Sequence, residues 1–184
     1  VSQRDVQRCF SLIKFFHNHA PDSMKREGPE TLMQSAVALA ASVAYFFRLP
    51  TETVIGLDHK DKLLRDEYIL EVQKVFPAFR RTVDECVDRF VTRENFEFSD
   101  GIALNQALKE NIFCMVAALE TKIPVSIIGL PGSSKTLSFQ IVQRNLRGPA
   151  LSPTEFCRKF KEIEAKFYQC NEFSTEEEIA SVFD

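Results

Sequence analysis

Gly129-Leu130-Pro131-Gly132-Ser133-Ser134-Lys135-Thr136 fits, with one departure, the Gly-x-x-x-x-Gly-Lys-Ser/Thr pattern of a phosphate-binding P-loop, the Walker A motif. Ahead of it the apolar run Pro124-Val125-Ser126-Ile127-Ile128 reads as a short buried strand. Behind it Leu137, Ile141, Val142 and Leu146, with Phe139 beside them, carry the spacing of a helix. Strand, glycine-bearing loop and helix opened by Lys-Thr is the context this chemistry requires. Small residues let backbone N–H groups turn inward onto phosphate oxygens, and the helix N-terminus adds its dipole and unpaired donors. Gly129, Pro131, Gly132, Ser133 and Ser134 would form the cradle. Lys135 would reach the β- and γ-phosphates of ATP, and the Thr136 hydroxyl would ligate magnesium. The departure is Ser134, where the pattern has glycine; serine lacks glycine's freedom at positive φ. The plain alternative is a strand–turn–helix that binds nothing.

Composition sets the frame around this loop. The 184 residues suffice for one large domain or two small ones, and 17 Phe with no Trp promise a phenylalanine-rich core. Six Gly and eight Pro leave little room for disordered linkers. A net charge of −3 lacks the basic excess of a general nucleic-acid binder. Five scattered cysteines, odd in number and without a Cys-x-x-Cys pair, read as free thiols rather than a disulfide framework or zinc site. The stretch Ala36 to Phe47 reads as a buried helix too short to span a bilayer, so no transmembrane segment is expected. Val1 in place of Met, and an end inside a helical pattern, point to a piece of something larger.

Upstream of the loop the pattern is helical. Ser2 and Asp5 form a capping-box variant ahead of Val6, Cys9, Phe10, Ile13 and Phe16. Residues 30–47 are apolar almost all round, 60–75 carry Leu63, Leu64, Tyr68, Val72 and Val75, and 78–91 carry Phe79, Val83, Val87 and Phe90. The polar segment 93–100 reads as a linker whose Phe96 and Phe98 can dock on a neighbouring surface. Asp100 is expected to cap a helix over 101–121. Downstream, 154–162 is ambiguous, 163–168 alternates as a strand does, and Ser174-Thr175 opens a last helix with Ile179 and Val182.

This order, helical bundle, linker, helix, strand, P-loop, helix, strand, resembles two consecutive pieces of an AAA+ ATPase tandem. Val1 to Arg8 is similar to the Ser-x-Arg-Asp helix opening in lids of dynein- and midasin-related modules. Phe167-Tyr168-Gln169-Cys170-Asn171 with Ser174-Thr175 looks like the second core strand of that group. The serine pair of the loop and Ser152-Pro153-Thr154-Glu155-Phe156 resemble the giant AAA+ members that carry a RING finger and act as E3 ubiquitin ligases. The resemblance implies an α+β and α/β fold in three parts. An N-terminal helical bundle, the lid of a preceding module, would occupy 1–92, and a linker 93–100. The first strands and helices of a P-loop α/β core, truncated, would occupy 101–184.

It further implies ATP and magnesium as cofactors and neighbouring AAA+ modules of the same chain as partners. A ubiquitin-conjugating enzyme and ubiquitin would be engaged by parts outside this segment, in a cytosolic, lipid-droplet-associated setting. Arg4 would act as a sensor for nucleotide held by the preceding module. No apolar strand closed by Asp-Glu is present to supply a Walker B acid, so the segment is expected to bind ATP without hydrolysing it, and no catalytic residue is assigned. Two alternatives stand beside this reading. One is a nucleotide-inactive AAA+ scaffold in which Ser134 marks a decayed loop; the other is a different P-loop class, such as a small-molecule kinase.

Several residues have simpler readings. Arg4 is equally a solvent-facing residue of a first helical turn. His17 and His19, two apart, fall on different helix faces and make a poor metal pair. Cys170 reads as a buried structural thiol, and the Arg80-Arg81 and Arg158-Lys159 pairs as solvated faces.

Overall fold

The structure is a computed structural model that describes residues 2–50, 54–55, 61–62 and 64–182. Helix α1 (Gln3–Asn18) opens on a full capping box: the Ser2 side chain accepts from Asp5 N–H and the Asp5 carboxylate accepts from Ser2 N–H. It buries Leu12, Phe15 and Phe16. A short α2 (Asp22–Lys25) leads to α3 (Pro29–Ala44), which starts with proline in its first turn, where a missing N–H costs nothing. The buried side of α3 is made largely of small residues, among them Ser35, Ala36, Ala38, Ala40 and Ser42, and α3 packs along α1. Small side chains at the contact allow a close helix pair. By length and composition Pro29–Arg48 could cross a membrane, yet half of that stretch is buried inside this fold.

A 3-10 turn at Phe46–Arg48 ends this element. Two-residue strands β1 (Val54–Ile55) and β2 (Asp61–Lys62) pair antiparallel. Helix α4 (Leu64–Gln73) precedes α5 (Phe79–Phe90), whose Phe79, Val83, Cys86, Val87 and Phe90 are buried at helical spacing. Then follow α6 (Gln106–Thr121), α7 (Lys135–Asn145), α8 (Gly148–Leu151), a 3-10 turn at Cys157–Lys159 and α9 (Glu176–Ser181).

One apolar cluster runs from α1 to Phe160. Phe16 of α1 stacks on Phe113 of α6 with ring centroids 5.0 Å apart, and Phe90 of α5 meets Phe113 and Phe156 edge-on at 5.2 and 5.1 Å. Phe96 is fully buried between Phe90 and Phe156. Its neighbour Glu97 exchanges two backbone hydrogen bonds with the side chain of Asn145 on α7, at 2.7 and 2.9 Å. The segment 93–98 is thereby tied to α5, α7 and the 154–157 turn, where Thr154 donates to Asn95 O.

The expected fold class is corrected by this architecture. Among the described residues the fold is helical. Neither 124–128 nor 163–168 forms a strand; besides the two-residue ladder there is one isolated bridge, Arg147 to Glu162. An apolar or alternating run becomes a strand only when a neighbour takes its N–H and C=O groups, and among the described residues the only such bond from either run to another segment is Ile163 N–H to Leu146 O, at the edge of that bridge. Val125, Ile128 and Phe167 accordingly stand exposed. The start of the 101–121 helix also moves. Asn105, not Asp100, caps α6, accepting from Leu108 N–H at 2.8 Å, because the side-chain oxygen must sit three residues before the N–H it satisfies. Thr175 caps α9 in a capping box with Glu178.

Candidate functional site

The site begins at the end of α6. Lys122 adopts a left-handed conformation (φ 56°), and Ile123 N–H returns to Ala118 O at 2.9 Å, so the chain reverses beside the helix. Residues 124–128 carry it to the loop, and α7 leaves the loop packed on α6, its own buried side formed by Ser138, Ile141, Val142 and Asn145. The loop is therefore suspended between two packed helices.

Within it, Gly132 has φ +82° and Ser134 φ +60°. Ser134 adopts the left-handed conformation that the pattern normally gives to glycine, and α7 starts immediately after it. Its side chain makes no capping hydrogen bond, so the first-turn N–H groups of α7 have no competitor there. Lys135 folds back over the loop: Nζ donates to Gly129 O and Leu130 O at 2.7 Å each and lies 3.1 Å from Ser133 Oγ. Ser133 Oγ donates in turn to Leu130 O at 2.8 Å. A Cβ at Gly129 would lie 2.7 Å from Ser133 Oγ and turn that hydroxyl off Leu130 O, so glycine there leaves the Ser133 hydrogen bond in place. Pro131, Gly132 and Thr136 are exposed, leaving the Thr136 hydroxyl open to solvent.

The structure thus brings Gly129, Ser133, Ser134 and Lys135 into one hydrogen-bonded turn. The three ammonium donors of Lys135 are engaged inside the loop, and the groups left facing outward are the uncapped first-turn N–H groups of α7. Arg4 sits apart on the exposed first turn of α1. The strand expected ahead of the loop is not formed.

One participant was missed by sequence reasoning. Asn111 on α6 donates from Nδ2 to Ser133 O at 3.1 Å. A signal existed: Asn111 lies three residues after Leu108 and four before Met115, a polar side chain on an apolar helix face. Next to it, Glu110 pairs with Arg65 of α4 at 2.9 Å, both side chains largely buried.

The remaining candidates resolve simply. His19 stacks on Phe15 and lies against Phe160, and its Nδ1 is 3.1 Å from Phe15 O. No metal-binding cluster occurs among the described residues. Cys86 and Cys157 are buried, and burial pushes each thiol up to about 11, so they are unreactive near neutrality. Cys170, read from sequence as buried, is exposed; it lines a cleft of about 360 Å³ with Phe139, Lys166, Phe167, Tyr168 and Ile179. The strand that would have covered it is not formed.

Residues 101–184, which contain α6, the loop and α7, match a family model described as the RNF213 AAA domain. The whole chain is similar to the human E3 ubiquitin-protein ligase RNF213, with 32% identity over 194 aligned residues. It is also similar to the mouse E3 ubiquitin-protein ligase RNF213 at 33% and to the zebrafish E3 ubiquitin-protein ligase rnf213-beta at 29%. This chain belongs to the RNF213, or mysterin, AAA family. All of this chain is covered in each comparison, but it spans only 4% of the length of those relatives. Within the RNF213 family the similarity therefore extends upstream of the matched AAA domain, through α1 to α5, while the loop lies inside that domain. An AAA domain family implies nucleotide binding at the level of the full-length protein.

Proposed function

We propose that this chain is an ATP-binding segment of a multi-module AAA+ ATPase within a giant E3 ubiquitin ligase of the RNF213 family. Gly129 to Ser134 cradle the phosphates, Lys135 neutralises the β- and γ-phosphates, and Thr136 holds magnesium. Arg4 senses nucleotide in a preceding module. Neighbouring AAA+ modules are the direct partners, in the cytosol and at lipid droplets. A ubiquitin-conjugating enzyme and ubiquitin are engaged by other parts of the protein. Family membership supports this reading. The observation that carries it is Ser134 standing at φ +60° directly before α7, with Lys135 anchored on the loop carbonyls. Serine there keeps the turn that a phosphate cradle needs.

A second reading, a nucleotide-inactive scaffold, draws on the same lysine, whose recorded hydrogen bonds are all made inside the loop. Calorimetric titration of magnesium-ATP into the full chain, unaltered and as Lys135→Ala, separates the two. The first reading expects binding that falls by at least about tenfold on substitution, a point charge on phosphate being worth that much. No binding by either protein, with both folded by circular dichroism, overturns it and leaves the scaffold.

A further inference from the structure

A left-handed serine persists only where its surroundings over-determine it. Around Ser134 most of the recorded restraints are local. Lys135 holds Gly129 and Leu130, Ser133 holds Leu130, and Ser138 N–H donates to Ser134 O at 2.8 Å within α7. Among the described residues, one hydrogen bond reaches the loop from outside it and outside α7: Asn111 Nδ2 to Ser133 O, at 3.1 Å.

That bond acts on the peptide that matters. In a trans peptide the C=O and N–H point in opposite directions. Holding Ser133 O toward α6 turns the N–H of Ser134, which shares its peptide, away from α6. The donor that holds it does not drift, because its own helical turn is fixed from the other side. Glu110 is bonded to Arg65, whose Nε also donates to Leu49 O at 3.0 Å and whose guanidinium lies 4.9 Å from the Phe46 ring centroid. Asn111 itself is half-buried.

We propose that Asn111 is a positioning residue for the nucleotide loop. Its amide sets the Ser133–Ser134 peptide so that Ser134 N–H is presented to phosphate although the residue is not glycine. The proposal rests on the nucleotide-binding reading above and deepens it. Asn111 touches no nucleotide; it acts through Ser133. Serine in the glycine position is thereby compensated by a donor from the neighbouring helix.

The test uses the full chain with Asn111→Asp, which keeps the shape but replaces the donor with a carboxylate, and Asn111→Gln, which keeps the amide donor. Two measurements are made. Magnesium-ATP affinity by calorimetry is expected to fall about three- to tenfold in Asn111→Asp, the worth of one hydrogen bond, and to recover largely in Asn111→Gln. Amide hydrogen exchange without nucleotide is expected to speed up about three- to tenfold at Ser133 and Ser138, whose N–H groups bond Leu130 O and Ser134 O, in Asn111→Asp, while α1 and α3 keep their protection. Unchanged loop exchange overturns the proposal, whether or not ATP binds. Faster exchange with unchanged affinity also overturns it, leaving Asn111 a structural tie. If the unaltered chain fails to bind ATP, the function reading fails, and the positioning claim for nucleotide falls with it. Uniformly faster exchange throughout marks a general loss of stability and counts against the claim.

Discussion

At φ +60° Ser134 occupies a region that costs an L-residue about 1–2 kcal/mol relative to its right-handed form. A β-branched side chain is penalised further, because its second γ-substituent crowds the adjacent carbonyl. Ser134→Val is therefore expected to lower unfolding stability by about 2 kcal/mol in urea titrations. Ser134→Gly should leave stability equal or up to about 1 kcal/mol higher, since relief of strain outweighs the added freedom of the unfolded chain. A valine variant as stable as the unaltered chain would show that the turn is not left-handed in solution. Serine at this position was visible in the sequence. Its backbone angle was not, because a non-glycine residue reveals its φ only through the contacts that hold it. Asn145 is a related case: it lies on the buried side of α7 and reads as a defect in an apolar stripe, until the backbone of Glu97 is found bonded to it in both directions.

Helix caps were the most legible elements, because capping is local in sequence. Ser2 with Asp5 and Thr175 with Glu178 each form a capping box. In the first, hydrogen bonds from the Ser2 side chain and backbone hold the Asp5 carboxyl below its ordinary value. A group depressed in the folded state stabilises fully above its unfolded pKa, and that contribution is lost as pH falls through the folded one. The first turn of α1 is therefore expected to fray as pH falls below about 4, the ordinary aspartate value, and on through the lower folded one. Exchange or chemical-shift measurements on residues 3–6 would follow it, and Asp5→Asn should flatten the dependence. A turn that frays equally in both proteins would place the cause elsewhere. The apolar spacing of α5 was equally readable, as Phe79, Val83, Val87 and Phe90 are buried. The start of α6 was not, since Asp100 and Asn105 are both competent caps and only the path of 101–104 selects between them.

Across the whole molecule, stacked Phe16 and Phe113 join α1 to α6, and Phe90 and Phe156 continue the contact. Phe113→Ala leaves a cavity where those rings meet and should cost about 3–5 kcal/mol. Because the cluster is continuous, signals from α1 and from α7 should still disappear in one transition; separate melting of the two would refute a shared core. Sequence alone determined the helices α1, α3 and α5 upstream of residue 92, though not the two-residue β1–β2 ladder between α3 and α4. It also determined that a phosphate-loop pattern precedes a helix, and that the pattern carries serine in a glycine position. These are consequences of spacing and of residue type, which act within a few positions along the chain. Tertiary structure alone decided that 124–128 and 163–168 remain without a ladder, that Cys170 is exposed, and that Asn111 meets Ser133 across 22 positions of sequence. A strand, a covered thiol and an interhelical hydrogen bond each require a partner from elsewhere in the chain, and no periodicity records whether that partner arrives.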